Sequence, residues 1–368
     1  MIPVNAPLIT DESKQLVLDA LNEGWISSAG PYITRFEKEF AQYLGVKHSI
    51  LVNTGTAALH VALLASGIGL GDEVIVPAFT MASSYLAVMY TGATPVFVDV
   101  EPDIFTLDPA SIAGAITAHT KAIMPVHIYG HPADLDPILH LAKQHHLLVI
   151  EDAAEAHGAT YRGIKVGSLG DINAFSFYAN KIVTTGEGGM VTTNNDHLAS
   201  LARRYRDLCH SPKKRFIHDD LGYNYRATSL QAALGLGSLH AISDSLRQKQ
   251  HMAELYKQGL SGIPGLTLPT TRDWATNVYW MYAILVDPKK FGMNKDQLRI
   301  ELLKHGVDTR DFFYAPSDQP ILHSKKHFPV TEKIAAHGLY LPSGLALTDA
   351  QIQSVCRTIS RISAAKPL

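Results

Sequence analysis

Cysteine is nearly absent from this 368-residue chain: Cys209 and Cys356 stand alone, far apart and outside any metal-ligand or redox spacing. No disulfide framework is implied, and both read as small buried hydrophobes in a chain suited to a reducing cytosol. Long apolar runs are missing as well. None approaches the roughly 18 residues of a membrane span, and the N-terminus MIPVNAPLITDESK has no basic region followed by an apolar core, so a soluble cytoplasmic protein is expected. Charge of one sign is equally scarce: 32 Lys and Arg face 34 Asp and Glu, and the densest basic runs, 213–215 and 325–326, are short. Nucleic acid, which demands a basic stripe, and a membrane surface are therefore not expected partners. Neither GxGxxG nor a Walker loop occurs, which argues against dinucleotide and ATP sites.

What is present is an ordinary globular balance, 46% hydrophobic and 18% charged. The length exceeds the roughly 250–300 residues at which one core stops growing, so two domains are expected, a large one over 1–240 and a smaller α/β one over 241–368. Helical spacing covers 10–22, behind Thr10-Asp11-Glu12, and 32–44, closed by Gly45. Short β-branched runs then alternate with helical patterns. The strand candidates are 49–52, 73–76, 95–98, 122–126, 147–150, 174–177 and 189–193, and helices are expected over 57–65, 84–90 and 133–145. Continuous runs such as LLVI imply strands covered on both faces, hence a mostly parallel seven-stranded sheet between helices. Beyond Arg226 the patterns predict one long helix over 230–259, a strand over 277–287 and helices over 295–305 and 349–362.

Three strand-end features carry chemistry. Gly55-Thr56 opens an apolar helix after a strand, where free amides and the positive helix end suit a phosphate; a plain Thr cap with a tight turn is the bland alternative. Asp152, in EDAAEAHG after LLVI, sits where open α/β sheets place ligands, although it also suits a helix cap. Lys181, in FSFYANKIVTTGEGGM, stands at the mouth of an apolar strand, and an amine that forms a Schiff base needs such a partly desolvated place. Asp152, Glu155 and His157 invite a metal, but no second carboxylate or histidine cluster accompanies them, and no metal is expected. Phosphate cradle, carboxylate and amine together are the set that pyridoxal phosphate requires, for its phosphate, its ring nitrogen and its aldehyde. His127 in PVHIYG and His157 lie at strand ends as candidates to line the substrate pocket. Arg310 offers a fixed guanidinium for a diphosphate, or a plain salt bridge.

The strings NTGTAALHVALLASGIGLGDEVIVPAFT, PVHIYGHPADLDPI, IEDAAEAHGA, FSFYANKIVTTGEGG and GYNYRATSLQAALG resemble, in order and along almost the whole chain, the DegT/DnrJ/StrS family of nucleotide-sugar aminotransferases. The resemblance implies fold type I, with Lys181 joined to the cofactor and shuttling the proton, and Asp152 paired with the ring nitrogen. It further implies that Gly55, Thr56 and Ser176 hold the phosphate and that Glu155 lies beside the ring. Asn224 would reach the phosphate bound by a neighbouring subunit, hence a homodimer with shared active sites. Glutamate would be the donor, leaving pyridoxamine phosphate as the intermediate cofactor form. Trp25-Ile26-Ser27-Ser28, FYANK and Phe312-Phe313-Tyr314 look most like members acting on GDP-4-keto-6-deoxymannose, in O-antigen-type glycan synthesis, with dTDP- or UDP-linked sugars as alternatives. Two positions depart from the pattern: Met81 stands where an aromatic usually stacks on the ring, and Ser317 roughly where a histidine lies near the sugar. A sugar dehydratase of the family would carry histidine in place of Lys181, and a non-catalytic regulator would not need Lys181, Asp152 and Ser176 intact.

Overall fold

Apolar runs of four or five residues become the strands of the chain's main sheet. The computed structural model describes residues 1–214 and 216–364; Arg215, in the first basic run, and residues 365–368, the end of the expected second domain, lie outside them. In chain order the strands are β1 (His48–Val52), β2 (Glu73–Pro77), β3 (Thr94–Val98), β4 (Thr120–Ile123), β5 (Leu148–Asp152), β6 (Thr160–Tyr161), β7 (Ile164–Lys165), β8 (Ile172–Ser176), β9 (Gly189–Thr193), β10 (Leu266–Thr267), β11 (Ala275–Thr276), β12 (Tyr282–Val286), β13 (Arg310–Asp311) and β14 (Gly338–Leu341). Seven of them form one sheet in the order β1-β9-β8-β5-β4-β2-β3. These are the seven expected from the sequence, and the neighbours from β8 to β3 are parallel. β9 runs antiparallel to both β1 and β8. No helix links β8 to β9, so the chain turns back at the left-handed Gly186 instead of crossing over the sheet.

Alternation assigns the two faces of the sheet. Ile50, Val52, Ala174 and Val191 pack with the helix Gly55–Ala65, whose sequence GTAALHVALLA is apolar on every side because the sheet covers one flank and further helices the other. Leu51, Phe175, Phe177 and Met190 face the opposite layer, where Phe36 and Phe40 of the helix Pro31–Leu44 meet them. The Phe40–Phe175 and Phe36–Phe177 ring centroids are 5.1 and 5.2 Å apart, contacts worth about 0.5–1.5 kcal/mol each beyond area burial.

A second, antiparallel sheet in the order β10-β12-β14-β13 has its own core, in which Tyr256, Tyr282, Ile284, Leu339 and Val355 pack between the strands and the helices Ile242–Leu260 and Asp349–Ala364. A small ribbon, β11-β6-β7, completes the set. Two expectations fail in this half. The helix over 230–259 is two helices, Ser229–His240 and Ile242–Leu260, broken at Ala241. The first buries Ala232, Ala233 and Leu236 against the helices Asp11–Asn22 and Pro31–Leu44 in the core shared with the main sheet, whereas the second covers the second sheet with one face, and a straight rod cannot serve both. The strand over 277–287 is only β12 (Tyr282–Val286). Upstream of it, Tyr279 is left-handed, the Val278 amide donates to the Gly130 carbonyl at 3.1 Å, and the Trp280 carbonyl accepts from Lys249 Nζ at 2.9 Å, so this backbone is bonded away from the sheet. Among the described residues no helix is long and apolar enough to cross a membrane.

Candidate active site

Two antiparallel steps through β9 restore the direction of β1, so β1, β5 and β8 end on the same edge of the sheet. Open α/β sheets leave a crevice at such an edge. There a cavity of about 400 Å³ is lined by Gly55, Thr56, Met81, Asp152, Glu155, Ser176 and Lys181, together with Thr54, Ser83, Asn180, Trp280, Phe313 and Tyr340.

One end of the cavity is built for an anion. Thr54 caps the helix Gly55–Ala65, its hydroxyl accepting from the Ala57 amide at 3.0 Å. The amides of Gly55 and Thr56 precede the first helical acceptors and stand at the positive end of the helix. A β-carbon on Gly55 would lie 2.6 Å from Ser176 Cβ and 2.9 Å from its Oγ; glycine is therefore what lets the end of β8 close against the helix start. The Thr56 hydroxyl donates to Ser83 Oγ at 3.0 Å, which adds a second hydroxyl pair to the same corner.

Carboxylates and the amine occupy the other end. The Ser84 hydroxyl donates to Asp152 Oδ2 at 2.8 Å and the Ala154 amide to Oδ1 at 3.1 Å. Burial raises the Asp152 pKa, against the lowering pull of these two donors and of Lys181. Lys181 Nζ lies 3.7 Å from Glu155 Oε1 and 3.5 Å from the Trp280 ring centroid, with its side chain only 9% exposed. Burial lowers the lysine and pushes Glu155 up to about 7, each opposed by the other's charge. The other Glu155 oxygen accepts from the Tyr129 amide at 2.7 Å. Tyr129 makes that bond from a left-handed conformation, φ 54°, uncommon for a non-glycine residue and found disproportionately at functional sites. Such a pocket suits a flat cofactor with a phosphate, a carbonyl and a basic ring nitrogen. Among the described residues no group of three His, Cys, Asp or Glu side chains is placed to hold a metal ion.

The remaining candidates scatter. Met81 caps the helix Ala82–Tyr90, 50% exposed at the mouth. Arg310 and Tyr314 line an adjoining cavity of about 320 Å³ that shares Thr80, Met81, Phe313 and Tyr340 with the first. Arg310 also donates to Asp308 at 2.7 Å. Ser317 is exposed in the turn Pro316–Asp318 and lines neither cavity. Asn224 is exposed, bridged to Asp207 and away from both. His127 does not line the pocket: fully buried, its Nε2 donates to Glu151 Oε2 at 2.9 Å and its Nδ1 accepts from the Ala133 amide at 3.0 Å. His157 is likewise sealed between Phe175 and Phe177. Sequence reasoning passed over Trp280, Ser84 and Tyr340. Ser84 lies in the first turn of the helix Ala82–Tyr90, in TMASSY beside a strand end, a signal of the kind used for Gly55; the other two lie in the second half, where no motif marked them.

A model of the DegT/DnrJ/EryC1/StrS aminotransferase family matches residues 7–360. The chain belongs to that family. This aminotransferase is 44% identical to the GDP-perosamine synthase of Caulobacter vibrioides and 41% identical to that of Escherichia coli O157:H7, each alignment covering 98% of both chains. Among solved structures it superposes on S. venezuelae DesV in complex with a ketimine intermediate with a TM-score of 0.90 at 34% identity, covering 99% of this chain and 100% of that one.

Proposed function

We propose that the protein transfers an amino group from glutamate to the ketone of a GDP-linked 4-keto-6-deoxy sugar, GDP-4-keto-6-deoxymannose, forming GDP-perosamine with pyridoxal phosphate as cofactor. The observation that carries this reading is the single cavity that joins a helix-start anion cradle, a buried carboxylate and a buried amine. The relatives called GDP-perosamine synthase support the choice of sugar.

When bound, that cofactor supplies the carbonyl that carries the amino group and the ring that absorbs electrons from the substrate carbon. Gly55, Thr56 and Ser176 hold its phosphate, and Asp152, oriented by Ser84, holds the proton on its ring nitrogen. Lys181 would hold it covalently, and the amine, when free, would take the proton from the glutamate α-carbon and deliver it to the cofactor's carbonyl carbon within the same half, the second half running in reverse on the sugar carbon. Glu155, fixed by Tyr129, would lie beside the ring, and the Met81 thioether would cover it in place of an aromatic. Arg310 and Tyr314 offer the adjoining cavity to the nucleotide diphosphate. Asn224 and the exposed Met81 and Tyr178 suit a homodimer in which each subunit completes the other's site, working in the cytosol. The break at Ala241 supports a division into a cofactor-binding part, 1–240, and a smaller part, 241–368.

The test is to load the protein with pyridoxamine phosphate and offer GDP-, dTDP- and UDP-linked keto sugars. Amination of the GDP sugar is expected; reaction with only the dTDP or UDP sugars overturns the substrate, and reaction with none overturns the activity.

A further inference from the structure

Trp280 belongs to the second half of the chain yet forms a wall of the cavity, and it is 5% exposed. Its indole Nε1 donates to the carbonyl of Asn180, the residue before the cavity lysine, at 2.9 Å, and Asn5 of the N-terminal segment donates to the same carbonyl at 3.3 Å. Its own carbonyl accepts from Lys249 Nζ at 2.9 Å. Lys249 is 2% exposed on the helix Ile242–Leu260, and its ammonium donates to the carbonyls of Trp280 and Ser343. The Tyr129 ring stacks near the indole, with centroids 6.4 Å apart and 25° between planes. An edge, a carbonyl and a stacked neighbour thus fix the ring with Lys181 Nζ 3.5 Å from its centroid.

We propose that the Trp280 indole is the seat of the free Lys181 ammonium, holding it against the cavity wall while the amine is detached from cofactor, with Lys249 as the residue that positions the ring. This rests on the reading of Lys181 as the cofactor-binding amine. The physical case lies in what else faces the nitrogen: Glu155 Oε1, an ion-pair partner at 3.7 Å and beyond hydrogen-bond length, whose other oxygen is anchored by the Tyr129 amide, the Asp152 charge, and His157, which burial keeps neutral. A carboxylate in full contact would lock the ammonium in an ion pair. The indole face attracts a cation through its quadrupole but accepts no proton, so the amine is held and can still swing back.

The test replaces Trp280 in the full-length protein by tryptophans carrying one to four ring fluorines, which keep the shape and weaken the quadrupole stepwise. Lys181 is then acetylated across a pH series and the modified peptide quantified by mass, with pyridoxamine phosphate bound and again without cofactor. Weaker attraction favours the neutral amine, so the labelling midpoint is expected to fall with each fluorine, by about one pH unit over the series. Trp280→Leu should match the fully fluorinated protein, and Trp280→Phe should lie between. An unchanged midpoint along the series overturns the role of Trp280. Failure of the unaltered protein to retain pyridoxamine phosphate sinks the reading of the site instead, and the cofactor-free titration still decides the seat.

Discussion

Gly55→Ala sets a small helix gain against a collision. Alanine is favoured over glycine in a helix by up to about 1 kcal/mol. The added carbon, however, would stand 2.6 Å from Ser176 Cβ and 3.2 Å from Ser176 Cα. Ordinary carbon contacts lie near 3.5–4.0 Å, so about 1 Å has to open between the helix start and β8. Ser176 cannot simply retreat, because it is paired with Gly189 of β9. Overpacking of this kind costs about 1–3 kcal/mol, which outweighs the helix gain and leaves a net loss of about 1–2 kcal/mol in urea unfolding of the cofactor-free protein. Binding suffers more: a 1 Å displacement of a positioning group can cost about 10²-fold, so the dissociation constant for pyridoxal phosphate, read by absorbance titration, should rise about 10²-fold. The double variant Gly55→Ala with Ser176→Gly separates the two effects. Removing the serine side chain leaves the 3.2 Å approach to Cα as the closest contact, so stability should recover, while affinity stays low because the hydroxyl is gone. Unaltered cofactor affinity in Gly55→Ala, or a double variant no more stable than the summed singles, would refute the reasoning.

Lys181→Ala should lose the mass increment that borohydride fixes on the cofactor-bound protein, and amino transfer should fall at least ~10³-fold; transfer at the normal rate would show that another group moves the proton. For Glu155, the carboxyl is pushed up to about 7 from 4.5, so the folded state binds more protons than the unfolded between those values and stability falls as pH rises through that window. Glu155→Gln should flatten this fall, by up to about 3 kcal/mol, in urea unfolding between pH 4.5 and 7. The buried Lys249 amine is pulled down to about 7 from 10.5, so the unfolded chain holds the extra proton and stability rises with pH from 7 towards 10.5. Lys249→Met should abolish that rise, of up to about 5 kcal/mol; an unchanged slope would mean that the ammonium is held by its two carbonyl partners at full strength.

The main sheet and part of the candidate site were legible because their signals are local. Seven apolar runs gave seven strands, and Gly55, Asp152 and Lys181 each lie at or just beyond a strand end, where parallel topology gathers side chains on one edge. Trp280 carried no such signal. Its stretch reads as strand by composition, and what takes it out of the ladder is Lys249 on a helix that the sequence joins to its predecessor without a visible stop. The break at Ala241 is a tertiary decision, since no glycine or proline marks it and two different cores impose it.

His127 shows where strand-end reasoning stops. Position at a strand end identifies the edge of the sheet but not the face, and the face depends on alternation. In β5, Glu151 and Asp152 are neighbours and must point to opposite sides. Asp152 turns into the cavity and takes Ser84. Glu151 turns away, where it accepts from the amides of Gly167, Leu169 and Gly170 and from His127. Burial pushes the Glu151 carboxyl up, yet His127 and those amides outweigh it and hold the group below its usual range, so the carboxylate stays charged inside the fold. The histidine is then committed to fixing the loop beneath β5 and cannot serve a substrate. Exchanging the roles of the two acidic residues would require a one-residue slip of β5, which would turn Val149 and Ile150 out of their separate cores as well. The hydrophobic register of the sheet therefore decides which carboxylate faces the cavity.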